Sequence, residues 1–233
     1  MKKKENIPWG EIMKYRNNNE LKSIYEYPVF IHEYPIIYSE MKNDYKILDV
    51  GCGEGKFYNE WLLPNGFNGI YIGIDIDPTL PSIVNFPLYS SIKEFKKAGF
   101  NIRSFDMLLM LNFPEHLGFE EFYSTVKILN PYIDSDFVIM TPNPRCFDYM
   151  FDDPQHKTFF AYEPLYGIMK LFDFPNINIW RGKGLYQIRE EQFKKNNNLT
   201  HLMEMNEFQR RICIAMGLDW YGNLLVLGER NNE

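Results

Sequence analysis

The stretch YKILDVGCGEGKF, residues 45–57, restricts the fold more than any other part of the sequence. A short apolar run ends at Val50, glycines follow at Gly51, Gly53 and Gly55, and an amphipathic segment begins at once. Glycine adopts backbone conformations that other residues avoid, and it lets a ligand approach the main chain. A strand, a glycine-rich turn and a helix in this order are typical of the first unit of an α/β sheet.

The rest of the chain repeats this alternation of strands and helices. The runs GIYIGID, FDMLLML, DFVIMT, NINIW and NLLVLGE predict strands at 69–75, 105–111, 136–141, 176–180 and 223–229. The intervening patterns predict helices at 55–62, 91–98, 119–129, 162–172 and 204–217. Continuously apolar strands that alternate with helices indicate a doubly wound, mostly parallel sheet covered on both faces.

The first 44 residues differ in character from the rest. Residues 19–42 predict a helical lead-in that is interrupted by Pro28 and Pro35. Its many tyrosines and phenylalanines would either close over a ligand as a lid or pack against the sheet edge. We therefore expect a helical lead-in or lid over residues 1–44 and a single α/β domain over residues 45–233.

Charge and cysteine usage narrow the setting of the protein. The net charge of −6 argues against a dominant electrostatic grip on nucleic acid. Three cysteines without zinc-like spacing favour a reduced, cytoplasmic compartment. No apolar run reaches the roughly 18–20 residues that a membrane span needs. The N-terminal lysines precede no apolar stretch, so we expect no secretory signal.

The glycine spacing predicts the kind of ligand. The order is G-x-G-x-G, whereas dinucleotide-binding turns have G-x-G-x-x-G. Glu54 lies inside the turn, where its carboxylate would repel a pyrophosphate. Asp75 ends the second strand and would accept hydrogen bonds from two ribose hydroxyls, with Asp77 as the neighbouring candidate. This pattern favours a ligand that contains adenosine without phosphate, and it disfavours a nicotinamide oxidoreductase.

The ordered set of motifs resembles one family. ILDVGCGEGKF and YIGIDIDP resemble the first two motifs of class I S-adenosylmethionine-dependent methyltransferases. SFDMLLMLNFPEHL, LNPYIDSDFVIMTPNP and NLLVLGER resemble the regions of the fourth, fifth and seventh strands, and residues 152–180 resemble the segment into the sixth. The resemblance covers residues 45–229. It implies a Rossmann-like, mostly parallel seven-stranded sheet with an antiparallel last strand, and methyl transfer to an oxygen, nitrogen or carbon.

The resemblance also assigns cofactor-binding residues. Asp49 would hold the amino acid end of S-adenosylmethionine, Gly51, Gly53 and Gly55 would let its methionine part lie on the backbone, Asp75 would take the ribose hydroxyls, and Asn112 would contact the cofactor. One departure concerns the adenine end. The family commonly has an acidic residue after the third strand, where this chain has Ser90 and Ser91.

A second group of residues follows the fourth and fifth strands. Glu115 and His116 lie in one loop and His156 in the other, and both loops should project from the carboxyl edge of the sheet. Either histidine would serve as a general base near neutral pH. Alternatively, all three residues would bind a divalent metal that acidifies an acceptor hydroxyl. A purely structural role, with Glu115 as a helix cap, is the third interpretation.

This second group also has a counterpart among known enzymes. It is similar to a Glu-x-x-Glu-His set with a distant histidine in ubiquinone-pathway and small-RNA 2′-O-methyltransferases. Asn112 stands where that set has its first glutamate, and this difference weakens the metal interpretation because a neutral amide binds hard cations less strongly.

Taken with the acidic composition, the sequence predicts a methyltransferase that acts on oxygen or nitrogen of a small-molecule or glycan acceptor. Methylation of RNA at a 2′-oxygen is the first alternative. The second is a non-catalytic protein that binds the cofactor or a partner on the same fold. The sequence predicts no oligomeric state.

Overall fold

The computed structural model describes residues 7–14, 24–27, 33–142, 155–182 and 223–230. The strands are β1 (Ile24–Tyr27), β2 (Lys46–Val50), β3 (Ile70–Ile74), β4 (Leu88–Tyr89), β5 (Phe105–Leu111), β6 (Ile133–Pro142), β7 (Asn176–Gly182) and β8 (Asn223–Glu229). The α-helices are α1 (Trp9–Met13), α2 (Tyr34–Ser39), α3 (Ile92–Lys97), α4 (Phe119–Leu129) and α5 (Tyr162–Leu171).

The strands form one sheet in the order β1-β7-β8-β6-β5-β2-β3-β4. Strand β8 is antiparallel to β6 and β7, and the other pairs are parallel. This confirms the mostly parallel seven-stranded sheet with an antiparallel last strand, formed here by β2–β8. Strand β1 adds an eighth strand at the edge.

The N-terminal lead-in differs from the helical expectation in part. Residues 24–27 form β1, which pairs in parallel with β7. The segment is rich in β-branched and aromatic residues, which favour a strand. Without β1, strand β7 would be the edge of the sheet, and its unpaired backbone groups can hydrogen-bond a further strand. Helix α2 does form, and Pro35 lies in its first turn, where a missing backbone N–H costs no hydrogen bond. Pro35 therefore marks the start of a short helix and does not lie within a longer one.

The remaining predicted elements within the described ranges are present. The helix expected from residue 55 forms, with π-helical geometry over Tyr58–Leu62. Helix α4 has the predicted bounds, and the Glu121 carboxylate accepts a hydrogen bond from the Gly118 N–H at 3.0 Å at its start. The helix predicted at 204–217 lies outside the described residues.

Alternate residues of the central strands face two separate cores. Leu48 and Val50 of β2 face a cluster that also contains residues of α1, α3, α4 and α5. Ile47 faces the opposite cluster, which includes Tyr34 of α2 and Tyr71 of β3. Burial on both faces explains why these strands are continuously apolar.

The sheet order creates a crevice at one edge. The chain passes from β2 to β3 on one side and returns to β5 on the other side of β2. Such a switch in strand order opens a crevice at the carboxyl ends of the strands, where ligands of doubly wound folds bind. All the predicted site residues follow strands at, or lie close to, this edge. In the described part of the chain, no helix has both the length and the apolar character required to cross a bilayer.

Candidate functional site

The three glycines of the turn after β2 have distinct surroundings. Their φ angles are +72°, +51° and +73° for Gly51, Gly53 and Gly55, which are backbone conformations that favour glycine. A Cβ on Gly51 would lie 2.1 Å from the ring of Phe113, and one on Gly55 would lie 2.3 Å from the ring of Phe86. A Cβ on Gly53 would meet nothing within 4 Å. Gly53 is therefore the glycine that faces open space.

The carboxylate of Asp75 lies next to Gly53. Its Oδ2 accepts a hydrogen bond from the Gly53 N–H at 2.8 Å, and its Oδ1 accepts one from the Asp77 N–H at 3.0 Å. Asp77 is exposed, and its Oδ1 accepts from the N–H and the hydroxyl of Thr79, both at 2.8 Å. These hydrogen bonds lower the pKa of Asp77. Of the two candidate acids, only Asp75 contacts the glycine turn in these hydrogen bonds.

Asp49 lies inside the sheet, directly before the turn, and is 3 % exposed. The hydroxyl of Tyr71 donates a hydrogen bond to its Oδ2. Its Oδ1 is buried, and no described residue offers it a hydrogen-bond partner. Burial raises the pKa of Asp49 to about 7, and nearby Asp75 adds to the increase, while the Tyr71 hydrogen bond opposes it. A buried carboxyl with one unsatisfied oxygen is a ready acceptor for a cationic group.

Helix α2 packs on the sheet face that carries Ile47 and Tyr71, and its Tyr34 lies close enough to the Asp49 carboxyl to interact with its charge. Tyr34 of α2 is buried and packs against Phe57, with ring centres 5.0 Å apart. Burial and the charge of Asp49 raise the pKa of Tyr34 to about 12, so its phenol stays neutral at physiological pH. Part of the N-terminal lead-in thus packs beside the predicted cofactor site.

The segment after β4 shows what Ser90 and Ser91 do. The hydroxyl of Ser91 accepts from the Glu94 N–H at 3.3 Å, and the Ser90 hydroxyl donates to the Glu94 carboxylate at 2.6 Å. Ser91 therefore caps α3, whereas Ser90 holds the Glu94 carboxylate close to the end of β4. The Ser-x-x-Glu spacing of Ser91 and Glu94 is a capping signal that could have revealed this arrangement in the sequence.

The loop after β5 begins with Asn112 in a left-handed conformation, at φ +51°. Its N–H donates to the Met140 carbonyl at 2.8 Å, and the residue is exposed at the carboxyl edge. The next residue, Phe113, turns its ring onto Gly51, and a 3-10 turn follows over Pro114–His116. Phe113 thus connects the glycine turn directly to the loop that carries Glu115 and His116.

Glu115 is the anchor of this second loop and is 2 % exposed. Its carboxylate accepts a hydrogen bond from the Thr141 hydroxyl at 3.1 Å. Its carbonyl accepts from the N–H groups of Lys157 and Thr158, at 2.7 and 3.1 Å. These backbone bonds hold the segment that carries His156 against the loop after β5.

The same contacts bring the two histidines together. The ring centres of His116 and His156 lie 5.1 Å apart at an interplanar angle of 64°. One ligand atom from each of Glu115, His116 and His156 lies within 4.8 Å of the others. The three residues are thus close enough to act on one group, either a metal ion or an acceptor proton.

Several contributors were not predicted from the sequence. Tyr71, Thr141, Phe86 and Phe113 complete the surroundings of the predicted residues. The period of two along β3 places Tyr71 on one face of the sheet, but its pairing with Asp49 depends on the register between strands. Cys52 is buried, and its pKa is raised by burial and by Asp49 and Asp75, so the thiol is a packing group.

Solved structures share this architecture. An S-adenosylmethionine-dependent methyltransferase from Archaeoglobus fulgidus superimposes with a TM-score of 0.63, at 18% sequence identity, over 97% of this chain and 100% of that chain. The chain has the class I S-adenosylmethionine-dependent methyltransferase fold.

Other proteins with this methyltransferase fold have diverse roles. The magnesium protoporphyrin IX methyltransferase of Synechocystis, solved with bound S-adenosylhomocysteine, has a TM-score of 0.52 at 11% identity over 85% of this chain and 80% of that chain. A chain of the Pnkp1/Rnl/Hen1 RNA repair complex has a TM-score of 0.54 at 15% identity, over 85% of this chain and 41% of that chain.

Sequence comparison finds a more local similarity. A Methanocaldococcus jannaschii protein, MJ0638, is 34% identical over an 86-residue alignment that covers 34% of this chain and 33% of that protein. The similarity thus spans about a third of either protein. No family model matches the chain.

Proposed function

We propose that this protein is a methyltransferase that uses S-adenosylmethionine to methylate an oxygen or nitrogen of a small-molecule or glycan acceptor. The observation that carries the proposal is the arrangement of Asp49, Gly53 and Asp75 at the carboxyl edge between β2 and β3. Asp49 offers a buried carboxylate oxygen without a described partner, and Gly53 offers backbone that faces open space. Asp75 places its carboxylate directly beside Gly53.

These residues fit the chemical groups of the cofactor. Oδ1 of Asp49 would accept a hydrogen bond from an ammonium group, which would favour the ionised carboxyl and lower its pKa. Gly53 would allow close approach to the main chain. The Asp75 carboxylate would accept hydrogen bonds from the ribose hydroxyls, either in place of its present backbone hydrogen bonds or in addition to them. When bound, S-adenosylmethionine supplies a methyl group that its sulfonium makes strongly electrophilic.

The protein's own contribution is alignment and proton removal. Holding two reactants in line lowers the barrier without any covalent step by the enzyme. His116 and His156 lie in the loops after β5 and β6 at the same edge, and a neutral imidazole of either would take the proton from an acceptor hydroxyl. Glu115 would position His116, because the buried Glu115 side chain anchors the 3-10 turn that carries both residues.

A metal-assisted version of this reaction has one observation in its favour. The ligand atoms of Glu115, His116 and His156 lie within 4.8 Å of one another, which is compatible with binding of one ion. Two imidazoles and one carboxylate suit a transition metal such as Zn²⁺ or Mn²⁺ better than Mg²⁺. Asn112 supplies no second carboxylate here, so we rank proton removal by a histidine first.

The acceptor class is argued from charge. A protein with a net charge of −6 repels a polyanion unless a local basic groove compensates, which favours a small-molecule or glycan acceptor. RNA remains the rival because one protein of similar fold belongs to an RNA repair complex.

Turnover measurements test this proposal. The wild-type protein would be incubated with S-adenosylmethionine and panels of hydroxyl compounds, amines, sugars and short RNAs, with and without chelator, and S-adenosylhomocysteine release would be measured. We expect release with a small-molecule or sugar acceptor that is insensitive to chelator. If S-adenosylhomocysteine is released only with RNA, RNA is the acceptor class. If chelator abolishes the release, the reaction depends on a metal ion and the histidine-base mechanism is rejected. Cofactor binding without release across the panel would support the non-catalytic alternative.

A further inference from the structure

A cavity of about 560 Å³ lies at the edge of the sheet opposite the candidate active site. Its walls come from the turns before β5 and β6, the end of α5, the start of β7 and the end of β8. These are the amino ends of the parallel strands, whereas the glycine turn and the histidines lie at the carboxyl ends. The volume falls within the roughly 300–1,000 Å³ of small-molecule sites.

The cavity is positively charged in a protein that is acidic overall. Arg103, Lys170 and Arg230 line it, and Asp173 is the carboxylate among the lining residues. Asp134 neutralises part of this charge from the margin, through a 3.4 Å contact with Arg103 between two largely exposed side chains. An exposed pair of this kind contributes little, and its arginine can readily turn to another anion.

Arg230 is fixed at the base of the cavity. Its guanidinium donates hydrogen bonds to the Ile133 carbonyl, to Oδ1 of Asn130 at 2.5 Å and to the Phe172 carbonyl at 3.1 Å. Its carbon also lies 4.5 Å from the ring centre of Phe174. Partial burial and the neighbouring Arg103 lower the pKa of Arg230. Two guanidiniums held near each other repel, and a bound anion would relieve that repulsion.

The backbone around the cavity is held in an unfavourable conformation. Arg103 and Asp173 have φ angles of +55° and +65°, and they are two of the three non-glycine residues with positive φ in the described ranges. The third is Asn112, at the candidate active site. Such conformations are energetically unfavourable for residues other than glycine. The Arg103 N–H donates to the Pro131 carbonyl at 3.0 Å, which keeps the arginine at the cavity wall.

We propose that this cavity binds the phosphate group of a small metabolite. The planar guanidinium of Arg103 offers paired donors that match phosphate oxygens. The Lys170 ammonium, which donates to the Pro175 carbonyl at 2.8 Å, adds a second positive charge. Ile102, Pro131 and Pro175 supply apolar wall beside these cations. The cavity exceeds the size of inorganic phosphate, so the organic part of a phosphate monoester fills the remainder.

Calorimetry at low salt tests the proposal with three probes: ribose 5-phosphate, inorganic phosphate and unphosphorylated ribose. Arg103→Gln and Lys170→Gln each remove a lining cation, while Arg230 is left intact because it joins several elements. Lys56→Gln removes the same charge at the opposite edge and is the matched control. Thermal unfolding of each variant checks that the fold is retained.

We expect saturable binding of ribose 5-phosphate, weaker binding of inorganic phosphate and none of ribose. Arg103→Gln and Lys170→Gln should each weaken ribose 5-phosphate binding about tenfold or more, and Lys56→Gln should leave it unchanged. Equal affinity for phosphate and its ester would identify the free anion as the ligand and overturn the metabolite assignment. No saturable binding of either, or equal affinity in all three variants, would overturn the site itself.

Discussion

Tyr71 donates its hydroxyl hydrogen to Oδ2 of Asp49 and thereby leaves the other carboxylate oxygen, Oδ1, buried with no hydrogen-bond partner among the described residues. The two residues belong to adjacent parallel strands, β3 and β2, and face the same core. A single phenol is not enough to stabilise a buried negative charge, so the ligand-free site holds a carboxyl whose pKa is about 7.

The raised pKa predicts how stability depends on pH. The folded protein binds a proton at Asp49 more tightly than the unfolded chain, in which the pKa of this carboxyl is near its ordinary value of 3.8. The free energy of unfolding should therefore fall as pH rises from about 4 to about 7, by an amount on the order of a few kcal/mol. Asp136, whose pKa is raised to about 6 mainly by burial, adds a change of the same sign.

Asp49→Asn isolates the contribution of Asp49. Urea unfolding of the ligand-free protein at several pH values should show that the variant gains stability relative to wild type as pH rises through this window. Asp77→Asn is the control, because hydrogen bonds lower the pKa of Asp77 in the folded protein, so its removal should give no gain in stability as pH rises. Parallel curves for wild type and Asp49→Asn between pH 4 and 7 would contradict the assignment.

The different surroundings of two glycines predict different effects of the same substitution. Gly51→Ala would place a methyl group 2.1 Å from the Phe113 ring, so we expect a loss of about 2–4 kcal/mol in stability. Gly53→Ala meets no atom within 4 Å and should cost only about 1 kcal/mol of backbone strain. The added methyl group would occupy the open space beside residue 53, where we propose that the cofactor binds. It should therefore weaken S-adenosylhomocysteine binding more than tenfold.

Thermal and urea unfolding, combined with calorimetry, would measure both effects. The double variant Gly51→Ala with Phe113→Ala should recover part of the stability that Gly51→Ala loses, relative to Phe113→Ala alone. If Gly53→Ala binds the cofactor product as tightly as wild type does, the open space beside Gly53 is not part of the cofactor site.

The two acids after β3 predict a contrast in binding. Asp75→Ala removes the carboxylate beside Gly53 and should weaken S-adenosylhomocysteine binding about 10–100-fold, because hydrogen bonds to a charged acceptor contribute about 1.5–3 kcal/mol. Asp77→Ala removes an exposed carboxylate that bonds Thr79 and should change affinity less than threefold. Equal losses in the two variants, measured by calorimetric titration, would reject Asp75 as the ribose ligand.

The histidine pair predicts a separation of binding from turnover. His116→Gln and His156→Gln should leave S-adenosylhomocysteine affinity within about threefold of wild type, because the proposed cofactor contacts come from Asp49, Gly53 and Asp75. Each should lower kcat by about 10²-fold or more on an acceptor identified by screening. Unchanged kcat in both variants would remove the histidines from the catalytic assignment.

Local patterns explain why much of this fold was predictable. The run from β2 through the glycine turn carries its own signals, because apolar strands and turn glycines act over a few residues. Strand β1 is different: it has four residues, and its partner β7 lies far along the chain. Its conformation depends on an edge that exists only after the sheet has formed.

The candidate site likewise has a part that the sequence predicts and a part that depends on contacts formed in the folded protein. The positions of Asp49, Gly53 and Asp75 follow from strand ends, which sequence patterns indicate. The approach of His156 to His116 depends on backbone bonds from Lys157 and Thr158 to Glu115, which no pattern of side chains encodes. The occupation of the space beside Gly51 by Phe113 likewise depends on the loop after β5 turning back onto β2.

The most direct test of the central claim is calorimetric titration of the wild-type protein with S-adenosylhomocysteine, with NADH as the control ligand. The arrangement of Asp49, Gly53 and Asp75 predicts one binding site for S-adenosylhomocysteine, with a dissociation constant on the order of 1–100 µM, and no binding of NADH. Absence of S-adenosylhomocysteine binding, or equal binding of NADH, would contradict the assignment of this crevice as the site of a methyltransferase cofactor.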